Sequence, residues 1–153
     1  MRIAIGCDNL AVDLKNTIIK YLNEQKISPV EIIDFGVDGS EPLDYPDIAE
    51  KVAVDVAQGN SERGILICGT GIGMAMAANK VPGIRAAQVY DVYSAERSRK
   101  SNNAQIITLG ALVTGTALAT KLIESWLASD FQGGRSAPKV DKIMAIEDRY
   151  RNE

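Results

Sequence analysis

Ile65-Leu66-Ile67-Cys68-Gly69-Thr70-Gly71-Ile72-Gly73-Met74 joins an unbroken apolar run to a glycine turn and then to a helical pattern. Branched apolar residues without polar alternation predict a strand buried on both faces, the kind found in parallel sheets covered by helices. The strand ends on a thiol, and the glycines set backbone N–H groups around it. Such groups at a helix start hold negative charge. A thiol there ionises more readily than a free one. A base beside an anion hole is what proton transfer next to a carbonyl requires.

Strand and helix patterns alternate along the whole chain. Strands are predicted at 2–7, 30–35, 64–68, 85–89 and 105–109. Helices are predicted at 11–25, 48–58, 72–80, 94–100, 116–128 and 140–150, with loops at 41–46 and 131–138. This βα repetition predicts a three-layer α/β/α sandwich around a five-stranded parallel sheet, with right-handed crossovers. Ligands of such sheets sit at the carboxyl ends of strands. Three of those ends carry polar groups: Cys7-Asp8-Asn9, Cys68-Gly69-Thr70 and Gln88-Val89-Tyr90-Asp91.

At 153 residues the expectation is one domain, 1–153. A net charge of −3 and no long basic run argue against nucleic acid as a partner. No apolar run approaches membrane-spanning length, and the chain opens directly into a strand, so no membrane partner or leader is expected. Two cysteines make no disulfide framework, and a reducing cytoplasm is the natural location. The complete absence of histidine removes a Ser-His-Asp triad, an imidazole base and most zinc sites, so a metal-free mechanism is favoured. The glycine loop has neither the Lys-Ser/Thr of a phosphate-binding P-loop nor G-x-G-x-x-G spacing.

The run from Gly64 to Ala87, with Cys68-Gly69-Thr70-Gly71 at its centre, strongly resembles type B ribose-5-phosphate isomerases and their galactose-6-phosphate isomerase relatives. Ile3 to Asp8, Asp44-Tyr45-Pro46, Tyr93-Ser94-Ala95, Arg99, Asn102 and Gly133-Gly134-Arg135 follow in the family's order. The resemblance implies a Rossmann-like fold and aldose–ketose isomerisation of a phosphorylated sugar. It also implies no cofactor, and a homodimer or tetramer with a C-terminal helix for oligomer contacts and an active site shared between subunits. Cys68 inherits the role of base and Thr70 that of positioning oxygens. The amides of Gly69, Gly71 and Gly73 would hold the enediolate, Asp8 the sugar hydroxyls, Tyr45 the pocket wall, Asn102 the reacting end and Arg135 the phosphate.

Several positions depart from the family pattern. Asn9 and Ser101 stand where histidines are usual, Ser136 follows Arg135 where another is usual, and Lys139 and Leu112 stand where arginines are usual. Asn9, Ser101 and Lys139 are retained as substrate-binding candidates. Serine has no titration near neutrality with which to open a furanose ring. A tetrose 4-phosphate has no free hydroxyl placed to close such a ring, so erythrulose 4-phosphate and erythrose 4-phosphate form the alternative substrate pair. A non-catalytic sugar-phosphate-binding partner subunit is the third reading.

Each candidate also has a plain structural reading. Cys68 is either base or core residue, and the flanking loop favours the base, whereas Cys7 reads as packing. Tyr45 lines a pocket or packs a loop. Tyr90 and Asp91 form a binding pair, or Asp91 caps the next helix. Asn79 and Lys80 read as structural, Met74 and Met76 as core or interface, and Arg97, Arg99 and Lys100 as a solvated helix face.

Overall fold

The computed structural model describes residues 1–41 and 43–151, so Pro42 of the expected loop lies outside the described residues. Strands β1 (Arg2–Cys7), β2 (Glu31–Asp34), β3 (Arg63–Cys68), β4 (Ala86–Gln88) and β5 (Ile106–Gly110) form one parallel sheet in the order β2-β1-β3-β5-β4. Every residue of β3 and β5 is buried, because both strands are central and covered on two faces. The edge strands β2 and β4 are shorter and only partly buried.

Helices α1 (Val12–Glu24), α2 (Tyr45–Ala57), α3 (Ile72–Ala78), α4 (Val92–Lys100), α5 (Thr116–Leu127) and α6 (Ala137–Arg151) complete the chain. α2 packs with α3 over one face of the sheet, and α5 packs with α1 and α4 over the other. Leu14, Ile18 and Leu22 of α1 are buried at helical spacing, as are Ile48, Val52 and Val56 of α2. α6 stands apart from the sheet. Glu147 accepts the Gly83 amide at 3.0 Å and Met144 meets Arg85, while Ile146 and Tyr150 stay exposed.

Two helices start three residues earlier than their apolar periods predict. α2 opens at Tyr45 and α6 at Ala137, so Pro46 and Pro138 fall in first turns. Proline loses nothing there, because its missing N–H has no partner in a first turn and its φ already suits a helix. A short 3-10 turn, Gly134–Ser136, leads into α6. α3 ends at Ala78 rather than at 80. There the Asn79 amide donates to the Ala86 carbonyl and its oxygen accepts the Ala86 N–H, both at 2.8 Å, tying the helix end to β4.

The end of α4 is less solvated than its charges predict. Arg99 donates to the Ala104 carbonyl at 2.8 Å, and burial together with the nearby Arg63 charge pulls its guanidinium down to about 10. Arg63 itself is buried at the start of β3. It donates to the Trp126 and Ser129 carbonyls at 2.8 Å and lies over the Trp126 ring, so a cation closes the carboxyl end of α5. No helix among the described residues is long and apolar enough to cross a membrane.

Candidate active site

Cys68 is the last residue of β3, paired in register with Gly110 of β5. It is 5% exposed. Its sulfur accepts the Gly71 amide at 3.1 Å. That contact needs a sharp reversal of the chain, and Gly71 supplies it at φ +79°. A Cβ at Gly71 would lie 2.9 Å from the Leu109 carbonyl carbon, so the turn is also pressed against β5. Thr70 Oγ1 accepts the Ile72 amide at 3.3 Å. Among the described residues the amides of Gly69, Thr70 and Gly73 meet no acceptor.

The neighbouring strand ends bring further groups to this loop. Asp8 follows β1, donates its amide to the Ile67 carbonyl at 3.1 Å, and accepts the Leu10 amide at 3.0 Å. Partial burial pushes its carboxyl above the usual range, against the pull of the Leu10 N–H. α1 starts beyond it without a side-chain cap, so Asp8 does not close that helix. Asn9 is exposed beside it. Tyr45, first in α2, lays its ring on α3: a Cβ at Gly73 would come within 2.5 Å of Tyr45 Cε2. Leu10 and Leu112 both reach over Gly69 and are otherwise solvent-exposed.

Within one chain, Asp8 and Asn9 thus lie at the exit of β1 beside the end of β3, and Tyr45 lies against the Gly69–Gly73 loop that follows Cys68. One detail differs from expectation. The Gly71 N–H is turned onto the sulfur, which leaves Gly69, Thr70 and Gly73 as the loop amides without an acceptor among the described residues. Cys7 is wholly buried, its thiol lies 3.7 Å from the Val37 carbonyl, and burial pushes it up to about 11.

Ser101, Asn102, Arg135 and Lys139 form a second group. α4 runs back from the carboxyl end of β4 toward the start of β5, so Ser101 and Asn102 lie at the opposite end of the sheet from Cys68. Ser101 accepts a hydrogen bond from Arg97. Asn102 is exposed and borders a depression of about 230 Å³ with Asn79, Arg85 and Ile143. Arg135 sits in the 3-10 turn and Lys139 in the first turn of α6, both exposed. The Gln132 amide donates to the Lys100 carbonyl at 3.2 Å, which ties this glycine loop to the end of α4.

Tyr90 and Asp91 divide between two jobs. Asp91 caps α4, accepting the Ser94 amide at 2.7 Å and its hydroxyl at 2.6 Å. Tyr90 turns its hydroxyl onto the Thr70 carbonyl, and Gln88 joins it there. Gln88 at the end of β4 and Thr108 in β5 hold this loop from neighbouring strands; the sequence placed Gln88 at a polar strand end without a specific role and did not single out Thr108.

Comparison with known proteins gives the family. Residues 3–143 match the Ribose/Galactose Isomerase family. The chain is 56% identical to the Ribose-5-P isomerase B of Listeria innocua serovar 6a, over 99% of this chain and 100% of that protein. It is 51% identical to the D-erythrulose-4-phosphate isomerase of Pectobacterium atrosepticum, over 100% and 99% of the two. The Clostridium thermocellum Ribose-5-Phosphate Isomerase B structure superposes with a TM-score of 0.93 at 48% identity, covering 98% of this chain and 99% of that one. Matched along almost its full length in sequence and in fold, the chain belongs to the ribose/galactose isomerase family and is a sugar-phosphate isomerase.

Proposed function

We propose that this protein interconverts an aldose phosphate and its ketose of the ribose 5-phosphate/ribulose 5-phosphate type, with Cys68 as the base. The observation that carries the proposal is a sulfur at a strand end that accepts one loop amide while other amides of the loop stand free. In this reading the Cys68 thiolate takes the proton from C2 of the open-chain aldose. The electron pair moves into the C1–C2 bond, and the carbonyl oxygen becomes the enediolate oxygen. The proton of the C2 hydroxyl passes to the C1 oxygen, and return of the abstracted proton to C1 leaves C2 as the carbonyl and completes the ketose. Gly69, Thr70 and Gly73 present N–H donors where that oxygen charge develops, and fixed donors need no reorganisation as it forms. Asp8 and Asn9 hold hydroxyls, and Tyr45 walls the pocket.

The phosphate is assigned to Arg135 and Lys139 and the reacting end to Ser101 and Asn102, all contributed by a second copy of the chain. The separation of the two residue groups within one chain supports a shared site, as does the exposed apolar side of α6. Cys68→Ala is expected to lower C2 proton exchange at least about a hundredfold, the usual weight of a general base. Exchange at the parent rate would remove Cys68 as the base. Sedimentation as a monomer at assay concentration would remove the shared site.

A second substrate reading is favoured by Ser101 and by the chain's lack of histidine, because no imidazole is present to open a ring. In that reading the substrate is erythrulose 4-phosphate, in line with the name of the 51%-identical relative. Assaying both sugars decides it: the larger kcat/KM identifies the substrate.

A further inference from the structure

The Thr70 carbonyl is held by two side chains from the far end of β4. Gln88 Nε2 donates to it at 2.8 Å, and the Tyr90 hydroxyl donates to the same oxygen. Gln88 Nε2 also reaches the Tyr90 hydroxyl oxygen at 2.5 Å, so the three groups close a triangle. This carbonyl belongs to the same peptide unit as the Gly71 N–H. A trans peptide is planar, and its C=O and N–H point in opposite directions. Donors on the oxygen therefore set where the N–H points, and it points at Cys68 Sγ. Donors on a carbonyl also polarise the peptide and strengthen its N–H. On the other side of Gly71, the buried Thr108 Oγ1 donates to the Gly71 carbonyl at 2.7 Å. The glycine is thus anchored through both of its peptide units.

We infer that Gln88 and Tyr90 are positioning residues for Cys68: through the Thr70–Gly71 peptide they hold an N–H against the sulfur and so favour its charged, proton-accepting form. The inference rests on the reading of Cys68 as base. The chemistry follows from a general rule: an N–H donated to an anion stabilises the anion more than the neutral acid. The other titratable groups around this end of the sheet are Cys7 and Asp8 at the exit of β1, the Lys15–Asp34 pair at the exit of β2, Asp44 and Tyr45 at the start of α2, and Tyr90 itself with Asp91 beyond β4. Gln88→Leu removes no charge and touches only Tyr90 among them.

The test compares Gln88→Leu and Tyr90→Phe with the parent, using iodoacetamide alkylation of Cys68 against pH and kinetics on ribose 5-phosphate and erythrulose 4-phosphate. Buried Cys7 is expected to stay unmodified, and mass spectrometry checks that only Cys68 is counted. Tyr90 is 41% exposed and Phe keeps its ring, so both variants are expected to fold, which a thermal melt verifies. The expected result is a profile moved to higher pH. Alkylation at neutral pH falls roughly three- to tenfold, the weight of one hydrogen bond. On whichever sugar the parent turns over, kcat falls while KM holds within about twofold. Unmoved alkylation profiles would overturn the inference, and a raised KM with unmoved alkylation would make Gln88 and Tyr90 substrate contacts instead. Cys68→Ala is the separate control. Full activity there overturns the base itself. Lost activity there, with unmoved profiles in the other two variants, overturns only the peptide clasp.

Discussion

Lys15 and Asp34 form an ion pair whose halves have different surroundings: the Lys15 side chain is 2% exposed and that of Asp34 40%, with Nζ 2.7 Å from each carboxylate oxygen. Asp34 Oδ1 also accepts the Gly36 amide at 2.9 Å, and the Gly36 carbonyl accepts the Cys7 amide at 2.7 Å, one residue before Asp8. The pair thus braces the exit of β2 against the strand end that carries Asp8.

The two halves are expected to respond unequally to substitution. Asp34→Asn strands a buried ammonium and costs about 3 kcal/mol. Lys15→Met leaves a carboxylate that water still reaches and costs about 1 kcal/mol. Urea denaturation of both variants checks the order, and equal losses would contradict the asymmetry.

The glycines of the loop separate in the same way. Gly71→Ala sets a side chain at φ +79° and against the Leu109 backbone, which has no room to yield. It is expected to cost at least about 2 kcal/mol and to abolish activity. Gly73→Ala meets first the far end of the Tyr45 side chain, which can swing away. Stability is expected within about 1 kcal/mol of the parent, with KM raised. Thermal melts alongside steady-state kinetics distinguish the two.

Asp8 gives a pH signature. Its carboxyl binds a proton more tightly when folded than at its ordinary value of 3.8, because burial disfavours the charge. The stability it contributes is therefore full below that value and is lost as pH rises through the raised folded value. Asp8→Asn is expected to melt slightly above the parent at neutral pH, with the gap closing as pH falls toward 3.8. Activity falls about tenfold or more, from loss of a charged hydrogen bond to substrate. A melting gap that is constant with pH would show the carboxyl to be unstrained.

Ser101→His tests ring opening directly. An imidazole at that position is expected to raise turnover of cyclic pentose phosphate about tenfold or more and to leave turnover of open-chain tetrose phosphate unchanged. Equal effects on both sugars would assign position 101 to another step.

How much of this was legible in the sequence differs by element. The five strands and the order of helices followed from apolar runs and periods, because burial on one or two faces leaves a repeating mark. The starts of α2 and α6 did not, since Pro46 and Pro138 interrupt an apolar period while suiting a first turn. Asp91 offered two roles, and only the placement of Ser94 selected the cap. Lys15 and Arg63 carry charges that composition assigns to the surface, yet both are buried because a carboxylate or a row of carbonyls receives them.

Taken alone, the sequence determined the layered parallel sheet, the thiol at the end of its central strand and the family. Each of these is written in neighbouring residues, through hydrophobic period and local turn chemistry. Tertiary structure alone decided that Gln88 and Tyr90 meet Thr70, that the Gly71 amide faces the sulfur, and that Ser101 and Arg135 lie away from Cys68. Those relations depend on β4 crossing to the sheet edge and on the direction of α4, and no local pattern encodes a distance between segments far apart in the chain.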